Sequence, residues 1–106
     1  MIIKNNHLLL KKVNNIDINS LKQLMDNLAN EYNNIFILLA NINNNVVTFL
    51  ARSNNPSMNA GEILKEVSIK SGGNGGGSNK FAQGSGKKIE EIDNIFSKIV
   101  KDLENE

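Results

Sequence analysis

The chain has 106 residues, 40% of them hydrophobic, and its twelve basic and eleven acidic residues leave a net charge of +1. That length sustains one modest core, so a single domain over residues 1–106 is expected, and the near-neutral balance excludes a strong whole-molecule field toward nucleic acid. With no cysteine, a lone His7, no apolar run of 18 residues and no secretory leader in "MIIKNNHLLLKK", the chain is expected to be cytoplasmic, away from membranes, and without a disulfide or zinc site of its own.

Residues 7–13, "HLLLKKV", read as a strand, with His7 at its start on the surface. In "DINSLKQLMDNLANEY", Leu21, Leu24, Met25, Leu28, Ala29 and Tyr32 recur at three- and four-residue steps, which predicts an amphipathic helix capped by Asp17 and placed over a sheet. Its whole stripe, Tyr32 included, is expected in the core. "IFILLA" (35–40) and "VVTFLA" (46–51) are two central antiparallel strands joined through "NINNN". The heavy use of asparagine, lysine and isoleucine reads as codon bias of an AT-rich genome.

Pro56 ends that pattern, and "NAGE" (59–62) has the spacing of a capping box opening a helix from about Ala60 to Lys70, with Ala60, Ile63, Leu64 and Val67 as its apolar face. A last helix carries Ile89, Ile92, Phe96, Ile99, Val100 and Leu103. Phe36, Phe49 and Phe96 lie on apolar stripes and belong to the core. The predicted fold is of α+β type: a mixed sheet covered by helices, in the order β-α-β-β-α, a glycine-rich loop with a short strand, then α.

Between the last two helices stands "KSGGNGGGSNKFAQGSG" (70–86), which holds seven of the eight glycines. No acid occurs between Glu66 and Glu90, while Lys70, Lys80, Lys87 and Lys88 give that stretch a local charge of +4. A flexible spacer fits poorly, because the single helix that follows is too short to be stable alone and Phe81 and Ala82 are not spacer residues. They predict a short strand at the sheet edge. Two readings stay open: an anion nest of glycine amides, and close packing of main chain against the preceding helix. The nucleotide P-loop is excluded, since no Lys-Ser or Lys-Thr follows the glycines, and so is the dinucleotide fingerprint, since a helix precedes them.

The stretch "NAGEILKEVSIKSGGNGGGSNKFAQGSG" resembles the C-terminal globular, DHH-associated domain of alanyl-tRNA synthetases, the C-Ala module. Ala60-Gly61-Glu62, Gly72-Gly73, Gly75-Gly76-Gly77, Ala82-Gln83-Gly84 and Gly86 follow the family pattern, and the resemblance covers residues 7–104. Where the family carries Lys, Arg, Pro and Asp around the glycines, this chain has Asn74, Ser78, Asn79 and Lys80.

The resemblance implies a tRNA-binding appendage without catalytic residues or cofactors. Its parent ligase would use ATP with magnesium, and zinc in an editing domain. The implied partners are tRNA-Ala, other domains of the same synthetase and, in a homodimer, a second copy. The candidate contacts are the backbone of Gly72, Gly73, Gly75, Gly76 and Gly77, the side chains of Lys70, Lys80, Lys87 and Lys88, and Asn79, Gln83 and Gly84 beside them. Two rival readings are a protein-interaction or dimerisation module and the nucleic-acid-binding half of a DHH-type phosphoesterase, in which a histidine usually stands where this chain has Ser78.

Overall fold

A computed structural model describes residues 1–105 of the chain. The run from Ile35 is apolar without alternation, as a strand covered on both faces must be. It forms the central strand β3 (Ile35–Asn43). Five further strands flank it: β1 (Ile2–Ile3), β2 (Asn6–Asn14), β4 (Val46–Ser53), β5 (Gly75–Gly77) and β6 (Phe81–Gly86). The sheet order is β1-β2-β3-β4-β6-β5, with β2 and β3 parallel and every other pair antiparallel. A parallel pair needs a crossover, and α1 (Ile18–Glu31) supplies it.

Two separate cores follow from the alternation along these strands. On one face Leu21, Met25 and Ala29 of α1 meet Ile35, Ile37, Leu39 and Leu50. On the other, α2 (Ala60–Lys70) and α3 (Ile92–Glu104) cover Phe36, Leu38, Ala40, Val47, Phe49 and Ala51. The expected mixed sheet between helices is therefore present. Asp17 caps α1 by accepting from the Ser20 amide at 3.0 Å, and Asn59 caps α2 by accepting from the Glu62 amide at 3.0 Å.

Four expectations change. The strand around Phe81 is not at the sheet edge, because the glycines themselves form β5 outside it. A 3-10 turn, Ile89–Glu91, precedes the last helix, which begins at Ile92. Tyr32 is 39% exposed rather than core, since α1 ends at Glu31 and the extended backbone of Tyr32 leaves the helical stripe. Leu24 is 46% exposed: the buried line runs through every fourth residue from Leu21, and Leu24 falls to its side.

Asparagine is structural here, beyond any codon bias. Asn5, Asn15, Asn34 and Asn44 occupy left-handed backbone at φ 68°, 52°, 54° and 57°, a region asparagine tolerates better than most residues. Each stands at a turn beside a strand or helix end. Buried Asn41 accepts from the Ile16 amide at 3.1 Å and donates to the Ile16 carbonyl at 2.8 Å, fastening the entry of α1 to β3. Asn54 accepts from the Ile35 amide at 2.7 Å and donates to the carbonyls of Ala29 and Tyr32, so one side chain ties the exit of α1 to the start of β3.

Asn41→Ala leaves both main-chain groups of Ile16 without that partner in a half-buried place. We expect a loss of about 2 kcal/mol of stability. A lower urea midpoint with unchanged slope is the predicted reading, and an unchanged midpoint would refute the fastening role.

Candidate functional site

The glycine window is a packing surface first. A β-carbon at Gly75 would lie 2.6 Å from Leu64 Cδ1 and 2.6 Å from Ser68 Oγ, and one at Gly61 would lie 2.5 Å from the Gly77 carbonyl oxygen. One at Gly84 would fall on Ser68 Oγ, one at Gly86 on Ser71 Oγ, and one at Gly73 on the Ser85 carbonyl. At Gly61 the main chain of α2 thus lies on the main chain of β5, and elsewhere only the side chains of Leu64, Ser68 and Ser71 stand between the helix and the strands. Ser68 is fully buried in this contact, and its hydroxyl has no hydrogen-bond partner among the described residues. Gly76 is the exception: nothing stands within 4 Å of where its β-carbon would be.

This packing decides which amides are available. Gly72, at φ +83°, donates its N–H to the Ile69 carbonyl at 3.0 Å, and Gly73 donates to the Ser68 carbonyl at 2.8 Å, so both complete the end of α2 rather than open toward a phosphate. The pairs Ser85 to Asn74 and Ser78 to Phe81 are hydrogen-bonded, which by the antiparallel alternation turns Gly76 toward β6 and only Gly75 and Gly77 toward the outer edge. A continuous nest over residues 72–77 is therefore not what the backbone builds. The amide of Ala60 is also engaged, donating to the Asn79 carbonyl at 3.0 Å.

The predicted lysines fall into two groups at opposite ends of β6. Lys70, Gly72, Gly73, Lys87 and Lys88 gather at the C-terminal end of α2, where the amides of Lys87 and Lys88 both donate to the Ser71 carbonyl, at 2.7 and 2.8 Å. Lys70 is already paired with Glu66 at 2.9 Å. Asn79 and Lys80 sit in the turn between β5 and β6, which Ser78 Oγ closes by accepting from the amides of Lys80 and Phe81. Six strand residues at about 3.3 Å each separate the two ends by about 20 Å. Lys80, Lys87 and Lys88 make no ion pair among the described residues.

Gln83 is exposed between these ends and Gly84 is covered by α2. Thr48, Ser85, Phe81 and Lys22 stand on the same sheet face as Gln83, with Lys22 Nζ 5.5 Å from the Phe81 ring centroid. Sequence reading did not include Thr48, Ser85 or Lys22, although the period of two in "FAQGSG" separates Phe81, Gln83 and Ser85 from the packed Ala82, Gly84 and Gly86.

A concavity lies elsewhere, between α2 and α3. It measures about 430 Å³, with Ile63, Val67, Ile95 and Leu103 among its apolar lining and Glu62, Glu66 and Asp102 beside Lys70 and Lys98. Three carboxylates against two ammonium groups already paired with them make it a poor seat for phosphate.

Residues 5–105 match the DHHA1 domain model. The chain is 33% identical over 96 residues to an alanine–tRNA ligase of Helicobacter hepaticus, covering 91% of this chain and 11% of that protein. It is 35% identical over 108 residues to alanine–tRNA ligase 1 of Lachnoclostridium phytofermentans, covering 98% and 12%. An alanine–tRNA ligase of Nitrosopumilus maritimus is 51% identical over 41 residues, covering 39% of this chain and 5% of that protein. The chain thus spans about a tenth of the length of these curated relatives. Its fold matches the crystal structure of the C-Ala domain of Aquifex aeolicus alanyl-tRNA synthetase with a TM-score of 0.82 and 24% identity, over 98% of this chain and 99% of that one.

Because the helix-to-sheet contact has no space for a methyl group, Gly84→Ala is expected to cost about 2 kcal/mol, whereas Gly76→Ala stays within about 0.5 kcal/mol of the parent. Ser68→Ala should restore part of the loss in Gly84→Ala, since it removes the hydroxyl that the new methyl group meets first. Thermal denaturation of the two single variants and the double variant checks this, and a tolerated Gly84→Ala would overturn the packing account.

Proposed function

The chain belongs to the DHHA1 domain family, and from that premise we propose that it is the tRNA-binding C-terminal module of an alanine–tRNA ligase. In this role it holds tRNA-Ala for aminoacylation and editing performed by other domains of the parent protein. The supporting observation is that relatives described as alanine–tRNA ligases match nearly the whole of this chain. The parent's ATP, magnesium and zinc belong to those other domains. Among the described residues no three His, Cys, Asp or Glu side chains are grouped as metal ligands, and one histidine without cysteine offers zinc no ligand set. Among the described residues, no helix is long and apolar enough to cross a membrane.

Physical chemistry supports an RNA surface on the β5–β6 side of the molecule. The stretch from Val67 to Ile89 carries four lysines and no acid, in a chain whose remaining residues carry eight basic and eleven acidic side chains. Lysines separated by about 20 Å cannot share one phosphate, so they suit a backbone that runs past both ends of the strand. The cytoplasm is the compartment in which this role is exercised.

The groove between α2 and α3 favours a second reading, protein contact. Its apolar lining and mixed charges resemble the centre and rim of an interface, either with the rest of the synthetase or with a second copy.

With three or four phosphates engaged, the logarithm of tRNA affinity should fall against the logarithm of salt with a slope of about −2 to −4. Lys80→Glu, and Lys87→Glu combined with Lys88→Glu, should each weaken binding, while Lys98→Glu on α3 should not. A slope of zero removes the lysine–phosphate mechanism. Sedimentation that shows a concentration-dependent dimer and no shift with tRNA supports protein contact instead.

A further inference from the structure

Strands β5 and β6 are covered on one face only. On the side opposite α2, helix α1 is seated over β3 and β4 and reaches β6 at its margin alone, where Lys22 stands over Phe81. Beyond that margin the sheet is bare. Thr48 of β4 pairs with Ser85 of β6, Gln83 lies two residues along, and Gly76 of β5 pairs with Gln83, so a polar strip runs across three strands. The side chains of Thr48, Gln83 and Ser85 have no hydrogen-bond partner among the described residues. Gly76 adds a floor with nothing standing above it.

The chemistry of this strip selects among occupants. A protein partner wants a cluster of apolar anchors, and here Phe81 alone is aromatic. An anionic partner meets no repulsion: the strands and the loops around them are free of acids, and Asp26, facing from α1, is held by Arg52 at 3.2 Å. A nucleobase needs a flat floor, an aromatic or cationic neighbour and a side chain that both donates and accepts. The strip presents Gly76, then Phe81 with Lys22, then Gln83.

We propose that this open half-sheet is where the RNA seats. An exposed base or ribose lies on the backbone of Gly76, Gln83 reads its edge, and Lys22 and Lys80 draw the flanking phosphates. This rests on the tRNA-binding reading and adds the face used, along with Lys22, Thr48 and Ser85, which contact RNA through the same strip.

The test titrates the whole chain and its variants Gly76→Glu and Gln83→Glu against a tRNA-Ala transcript at low salt, with fluorescence anisotropy as readout. Both positions are exposed, and Gly76 has open space above it, so thermal midpoints should match the parent. Each variant is expected to bind about tenfold more weakly, the scale of one lost base stack with a carboxylate added beside phosphate. Lys98→Glu, on the opposite side, should bind as the parent does. If Gly76→Glu alone melts early, Gln83→Glu and Ser85→Asp decide. Parent-like affinity in these variants overturns the proposed face while leaving the tRNA-binding reading intact. Failure of the unmodified chain to bind the transcript overturns both.

Discussion

A helix can approach a pair of strands this closely only where the strand residues beneath it lack side chains, and the contact of α2 with β5 and β6 is made on that condition. Gly61 on the helix and Gly73, Gly75, Gly77, Gly84 and Gly86 on or beside the strands leave no place for a β-carbon. Ser68 and Ser71 add the smallest hydroxyl side chains between the backbones. The arrangement brings a three-residue strand, too short to hold a place by its own ladder, under the grip of an eleven-residue helix. Glycine in a strand is ordinarily a loss, since it surrenders backbone entropy and side-chain contact. Here the loss is offset by dispersion between main chains that would otherwise stand several ångströms further apart.

That contact also sets the electrostatic layout of a nearly neutral molecule. The acids of α2 turn to the groove shared with α3, where Glu66 meets Lys70 and Asp102 meets Lys98. The glycine strands carry no charge, and the turn and exit around them carry only lysines. Net charge therefore conceals a local excess of lysine around β5 and β6. The long-range field of the whole chain stays small, and the excess positive charge is confined to that one stretch.

Much of this architecture is written in periods that survive without tertiary information. The every-fourth spacing of Leu21, Met25 and Ala29 and the unbroken run from Ile35 describe a helix on a doubly covered strand, and the caps at Asp17 and Asn59 mark both starts. Less legible is whatever depends on a partner distant in the chain. Asn54 looks like any loop asparagine until Ala29, Tyr32 and Ile35 are brought to it, and "GGG" looks like a loop until Leu64 and Ser68 lie above it. Glycine repeats signal freedom of conformation and closeness of approach in the same letters. Only the neighbour decides which is in use. The lysines were visible as charges, but their division between two ends of one strand depends on the β5–β6 hairpin, which local pattern does not specify.

One consequence reaches from packing to heredity. Every single-nucleotide missense change in a glycine codon installs a residue with a β-carbon, so the positions under α2 have no mild neighbours in the genetic code. A point mutation there meets a strand carbonyl, the Leu64 side chain or a buried hydroxyl at once. Gly76, alone among the three residues of its strand, faces open space. It is the place in that strand where the code can experiment without first breaking the fold.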